Sequence, residues 1–117
     1  MATQVRVVDL ERAIRFYVGT LGFEEEFRFG DFFAGIRAGD QRLHLKAFET
    51  PDPSIAFVRE GDHCHLYLRV TDLEAAFREV EGKAEIVYPI TTKPWGDREF
   101  TILDPDGHTI YFGQADP

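Results

Sequence analysis

Arg6-Val7-Val8-Asp9-Leu10-Glu11 returns 63 positions later as Arg69-Val70-Thr71-Asp72-Leu73-Glu74. Five of the six residues agree, and an alanine, Ala13 or Ala76, follows two positions after the glutamate in each copy. In a chain of 117 residues this spacing puts one copy at the start of each half. The chain therefore reads as one domain built from two similar modules, roughly 1–50 and 55–117. The segment 49–54, with Pro51 and Pro53, reads as the link between them.

Outward from each copy the pattern is the same. Val5 and Val7 alternate as a strand, and Leu66, Leu68 and Val70 do so in the second half. Asp9 and Asp72 are good helix N-caps, and Glu11 and Glu74 fall in the first turn, where the helix dipole favours an acid. Leu10, Ala13, Ile14, Tyr17, Val18 and Leu21 recur at helical spacing, as do Leu73, Ala76, Phe77 and Val80. Gly22 and Gly82 suit the C′ position that ends a helix. Short strands follow, near 23–29, 32–37 and 42–48, then near 84–88, 98–103 and 108–112. Ala38-Gly39-Asp40 reads as a hairpin turn. Asp104-Pro105-Asp106-Gly107 is a stronger one, with proline at i+1 and a glycine able to take positive φ. Each half thus reads β-α-β-β-β.

Composition narrows the function classes. The chain has 13 basic and 21 acidic residues, a net charge of −8, which argues against non-specific nucleic-acid binding. A cationic ligand is compatible with that charge. Eleven phenylalanines in so short a chain imply a Phe-rich core or Phe-lined cavity. The single cysteine, Cys64, excludes an internal disulfide framework and suits a reducing compartment. There is no signal-peptide pattern, and no apolar run approaches the roughly 20 residues that span a bilayer. A cytoplasmic protein is expected. On a strand, Cys64 points away from His63 and His65, so an inert thiol is the expectation.

The helix entry Val7-x-Asp9-Leu10-Glu11-x-Ala13, then Phe16-Tyr17 with Leu21-Gly22-Phe23, then Asp104-Pro105-Asp106-Gly107 with Ile110, resembles the glyoxalase/bleomycin resistance/extradiol dioxygenase superfamily. The resemblance covers nearly the whole chain. It implies an α+β fold of two tandem βαβββ modules whose curved mixed sheets surround a cleft. Within the superfamily, Asp31-Phe32-Phe33-Ala34-Gly35-Ile36 and Pro94-Trp95-Gly96-Asp97-Arg98-Glu99-Phe100 look like segments of bleomycin-binding resistance proteins. This chain carries one extra residue, Asp97, between the glycine and the arginine.

Enzymes of that superfamily hold a divalent metal on four strand positions, and the resemblance assigns these to Ala2, His44, His65 and Tyr111. Ala2 has no ligating side chain, and Tyr111 stands where the enzymes have a Glu or similar ligand. Two imidazoles bind a metal weakly, although His63, two residues before His65, offers a third nitrogen. No metal and no other cofactor are expected. A weak divalent site at His44 and His65 is the alternative, with no catalytic residue assigned.

The resemblance instead implies a homodimer that stacks a flat drug ring between Phe33 and Trp95. Phe32 competes with Phe33 for the pocket, because strand alternation sends one of them to the core. His44, His65 and Tyr111 are expected to line the cavity. Asp31, Asp62 and Asp97 are the acids nearest the aromatic segments. The expected function is sequestration of a flat, cationic, bleomycin-like small molecule without turnover, with no nucleic-acid or membrane partner. The alternative is a metal-dependent lyase, isomerase or dioxygenase with a depleted ligand set.

Overall fold

A computed structural model describes residues 2–61 and 63–115. The chain divides into two compact units, Met1–Pro53 and Ser54–Pro117. The first unit runs β1 (Ala2–Val7), α1 (Leu10–Ile14), a π-helical continuation over Arg15–Thr20, β2 (Glu24–Phe29), β3 (Phe33–Ala38) and β4 (Gln41–Ala47). The second begins with α2 (Ser54–Glu60) and continues with β5 (Leu66–Arg69), α3 (Leu73–Val80), β6 (Glu85–Thr92), β7 (Asp97–Leu103) and β8 (Thr109–Ala115). Each unit builds a four-stranded mixed sheet, in the order β1-β4-β3-β2 and β5-β8-β7-β6. β1–β4 and β5–β8 are parallel, and the other pairs antiparallel.

The helix entries form as their sequence dictates. The Asp9 carboxylate accepts from Arg12 N at 3.2 Å, and the Asp72 carboxylate from Ala75 N at 3.1 Å. Each thereby satisfies one of the amides that a helix start leaves without a partner. Gly22 and Gly82 end the helical segments with φ of 78° and 83°. The helix of each unit covers one face of its sheet. Val5, Val7, Leu10, Ala13, Ile14, Tyr17, Ala34, Ile36, Leu43 and Leu45 form the first core. Leu66, Leu68, Leu73, Val80, Phe100, Ile102, Ile110 and Phe112 form the second.

Three features depart from the sequence expectation. The first helix turns π-helical after Ile14, with Leu21 N bonded to Phe16 O at 3.0 Å. The wider turn brings Phe16 inside beside Tyr17 and leaves Val18 and Leu21 only half-buried, so the regular 3.6-residue stripe does not hold there. The link ends in a helix, α2, which the prolines before it and its lack of fully buried residues conceal in the sequence. β6 runs on to Thr92, through Pro89. It tolerates the proline because it is an edge strand with two register shifts against β7. Among the described residues no helix is long and apolar enough to cross a membrane.

Candidate functional site

The strand register sets which side chains share the sheet face opposite the one packed under α1 or α3. Directly paired residues share a face. In the first unit the register aligns Gln4, His44, Gly35 and Phe27 in one row and Arg6, Lys46, Phe33 and Phe29 in the next. In the second the corresponding rows are Tyr67, Tyr111, Thr101 and Tyr88, then Arg69, Gly113, Glu99 and Thr91.

The first face is aromatic. The Phe33 and His44 rings meet edge to face at 5.3 Å, and Phe27 lies 5.8 Å from Phe33 and 5.7 Å from His44. Gly35 makes this possible. A Cβ there would lie 2.2 Å from the Phe27 ring, so only glycine lets that ring rest on the strand. Phe32 and Phe33 do not divide between core and pocket as alternation suggested. Phe32 belongs to the turn before β3 and meets Phe29 at 5.8 Å; Phe33 is half-buried on the open face, and Ala34 and Ile36 fill the core. Asp31 lies in the same exposed turn.

The second face is polar. Glu99 is 95% buried by its neighbours, at 5% exposure, and its Oε2 accepts from the Tyr67 hydroxyl at 2.8 Å. Tyr67 reaches it by crossing Gly113, where a Cβ would stand 2.1 Å from the phenol oxygen. Arg69 donates to Asp97 at 3.1 Å. Burial, and then the bond to Glu99, push the Tyr67 phenol above its ordinary value. Burial and the Glu99 charge likewise raise the Cys64 thiol, which disfavours its thiolate form. Tyr111 lies 6.3 Å from Tyr67, ring to ring. Sequence reasoning passed over Glu99 and Tyr67. The available signal was alternation: Leu66 and Leu68 flank Tyr67, and Phe100 follows Glu99.

Trp95 stands at the apex of the β6–β7 hairpin. Gly96 N bonds to Lys93 O at 2.9 Å, Lys93 N bonds to Asp97 O at 2.7 Å, and Gly96 takes φ of 99°. Asp97, the extra residue of the segment, thus closes the hairpin at the start of β7. Trp95 is 69% exposed, so its ring is not a core element. The candidate residues therefore fall into two sets: Phe32, Phe33 and His44 in the first unit, and His65, Trp95 and Tyr111 in the second. Asp62 lies outside the described residues.

The chain matches, over residues 2–112, the family described as Glyoxalase/Bleomycin resistance protein/Dioxygenase superfamily. It belongs to that superfamily. Among solved structures it is similar to the bleomycin-binding protein of bleomycin-producing Streptomyces verticillus, complexed with copper(II)-bleomycin. The two are 29% identical, with 100% of this chain and 95% of that chain covered and a TM-score of 0.73. It shares its fold with TioX from Micromonospora sp. ML1, at 24% identity, 100% and 96% coverage and a TM-score of 0.75. The same holds for a superfamily protein from Alicyclobacillus acidocaldarius, at 15% identity, 98% and 89% coverage and a TM-score of 0.81. No curated protein sequence matches significantly.

The superfamily's metal positions are tested by the donors present. Ala2 supplies no side-chain ligand, and His44 is packed against Phe27 and Phe33. His65 Nδ1 lies 3.4 Å from Thr109 N, and its Nε2 lies 3.2 Å from Ser54 Oγ. An amide N–H only donates, so Nδ1 is the acceptor and the ring proton sits on Nε2, directed at the serine. Both nitrogens are engaged inside the unit, and a metal at His65 would have to displace one bond. Asp104, Asp106 and His108 also bring ligand atoms within 4.8 Å of one another. There, Asp104 Oδ1 already accepts from Asp106 N and His108 N, while its Oδ2 lies 2.8 Å from His108 Nδ1. Both carboxylate oxygens are tying the β7–β8 turn. Ala2 thus leaves the superfamily's four positions incomplete, and the Asp104 carboxylate is already used within its own turn.

Proposed function

We propose that this superfamily member is a non-catalytic small-molecule-binding protein that sequesters a flat, cationic, bleomycin-like ligand. It works as a cytoplasmic homodimer, each chain a single domain of two modules, and protects its host by holding the ligand rather than turning it over. The observation that carries the reading is the aromatic bed of Phe27, Phe33 and His44, with flat faces available on an open sheet. Exposed Trp95 and the full-length likeness to a bleomycin-binding protein support it. Such a site gains affinity from apolar area and ring stacking, with a few polar anchors for orientation.

Trp95 is the sole tryptophan, so it reports directly. Micromolar bleomycin is expected to quench its fluorescence saturably. Phe33→Ala is expected to weaken that binding by roughly 2- to 10-fold, the worth of one aromatic contact. A flat response to bleomycin and to a panel of planar cations would count against this ligand class. Stoichiometric binding of Zn²⁺, Ni²⁺ or Fe²⁺ by calorimetry, lost in His65→Ala, would instead favour a metal-dependent lyase, isomerase or dioxygenase.

A further inference from the structure

We infer that Arg6 and Lys46, on the open face of the first unit, form an anion subsite that recognises a carboxylate on the edge of a flat ring bound over Phe27 and Phe33. This rests on the flat-ligand reading and names the group at one edge of that ring. The positive charge of a cationic ligand then lies away from this face.

Register divides the open face of the first unit in two. β2 and β3 present Phe27, Phe29 and Phe33, while β1 and β4 present Arg6 and Lys46. Lys46 pairs directly with Arg6 on one side and with Phe33 on the other, so cations and rings adjoin across neighbouring strands. The surface is accessible. Phe27 is 42% exposed and Phe29 68%, and Arg6 and Lys46 are half-buried. A flat ring laid on Phe27 and Phe33 needs no enclosed cavity and meets Lys46 at its edge.

The two positive charges are unmatched. Among the described residues the Arg6 guanidinium hydrogen-bonds only to Thr50, at 2.6 Å to Oγ1 and 3.3 Å to the carbonyl oxygen, both neutral. Lys46 has no hydrogen bond or ion pair among the described residues. Both lie over the Phe48 ring, with Arg6 Cζ 4.4 Å and Lys46 Nζ 5.6 Å from its centroid, so like charges are held near each other. The other arginines of this face differ: Arg37 pairs with Glu24, and Arg42 with Glu26. The second unit supplies a control within the same chain. Arg69 is the counterpart of Arg6 in the repeat, and its charge is met by Asp97 at 3.1 Å. Where the second unit meets its arginine with an acid, the first unit adds Lys46, in a protein of net charge −8. A carboxylate beside Arg6 and Lys46 would gain charge-assisted hydrogen bonds and relieve their repulsion.

The test uses three probes that share one flat ring and one substituent shape: naphthalene-2-carboxylate, naphthalene-2-carboxamide and naphthalene-2-carboxamidine, which are anionic, neutral and cationic at neutral pH. Each is titrated into the full chain and followed by nitrogen-15 amide shifts. Wild type is expected to bind the carboxylate roughly tenfold more tightly than the carboxamide, and the carboxamidine most weakly. Lys46→Gln alone should cut the carboxylate preference to about threefold, and Arg6→Gln with Lys46→Gln should bring the three probes within about twofold of one another. The carboxamide should bind the variants and wild type equally, which shows that the fold and the aromatic bed are intact. A carboxylate preference that survives both substitutions, or three probes that bind wild type with no such preference, overturns the anion subsite and leaves the flat-ligand reading standing. No binding of any of the three to wild type overturns both.

Discussion

The same sheet position carries Phe33 in the first unit and Glu99 in the second. Phe33 pairs with Lys46, and Glu99 with Gly113, at matching points of the two ladders. Both units also use glycine to seat a ring on the open face, Phe27 on Gly35 and Tyr67 on Gly113. The two glycines stand at different points of the ladders, since Gly35 matches Thr101 and Gly113 matches Lys46, so each unit seats its ring in its own way. One unit offers apolar ring faces, and the other offers a phenol bonded to a carboxylate. The difference shows that strand register, set by the core on the opposite side, leaves the outer face free to change.

The cores diverge too, in a compensating way. Tyr17 stands on the first helix where the repeat places Val80 on the third, and Ala34 stands on β3 where Phe100 stands on β7. One unit carries its bulk on the helix and the other on the sheet. Phe100 is fully buried, stacked on Phe112 at 4.7 Å and edge-on to Phe77 at 5.1 Å. The largest expected effect follows from this. Phe100→Ala should destabilise the second unit by about 3–5 kcal/mol, because the three-ring stack cannot collapse onto the cavity. Urea unfolding followed by circular dichroism measures it. A loss under about 1 kcal/mol would mean the ring stack is not what fills that core.

The helix entries test what the repeat has kept. Asp9→Ala and Asp72→Ala each remove one capping acceptor of the same geometry, so each should cost about 1 kcal/mol by the same unfolding assay. Unequal costs would show that the longer, π-turned first helix holds its start by other means.

Those caps mark how far the sequence could be read. Strand alternation and helical stripes follow from the period of burial, so the eight strands, the capped helices and the Asp104–Gly107 turn were legible. The π turn was not, since it depends on how Phe16 and Tyr17 pack. α2 was not, because a half-buried helix after two prolines has the composition of a linker. At the site, Trp95 was legible as a loop residue from its Pro–Gly frame. Glu99 was not singled out, because its burial comes from Tyr67 lying across Gly113, a contact between three strands that no local pattern records.

The Tyr67–Glu99 pair sharpens the contrast between the two faces by a titration. The Tyr67 phenol is raised first by burial, then by donating to Glu99 and by that residue's charge. Both of the latter favour the protonated phenol. Glu99→Gln removes the charge, so Tyr67 should ionise at lower pH than in the wild type, though still above an ordinary tyrosine because burial remains. Carbon-13 spectra of ring-labelled tyrosine follow it, with Tyr67→Phe assigning the signal. An unchanged midpoint would separate Glu99 from Tyr67 and break the polar half of the comparison.

The smallest effect concerns how each unit ties its helix start to its sheet. Glu11 and Glu74 are the same residue of the repeat. Glu11 pairs with Arg28, from β2, whereas Glu74 pairs with Arg98, from β7, whose Nη2 lies 2.9 Å from Glu74 Oε2. The Arg98 guanidinium, joined by a backbone hydrogen bond, holds the Glu74 carboxyl down at about 2, against an ordinary 4.5. A folded-state value below the unfolded one means the carboxylate form is favoured by folding. The contribution is then complete above pH 4.5 and fades as the pH falls from there towards 2. Both groups meet solvent, so screening keeps the effect on stability slight, and the clearer readout is the titration itself. Carboxyl carbon-13 shifts should place the Glu74 midpoint at about 2, below the ordinary 4.5. Arg98→Ala should return it towards 4.5, while Arg28→Ala leaves it unmoved. A Glu74 midpoint near 4.5 in the wild type would mean that the second unit's helix start is not tied to β7 in solution.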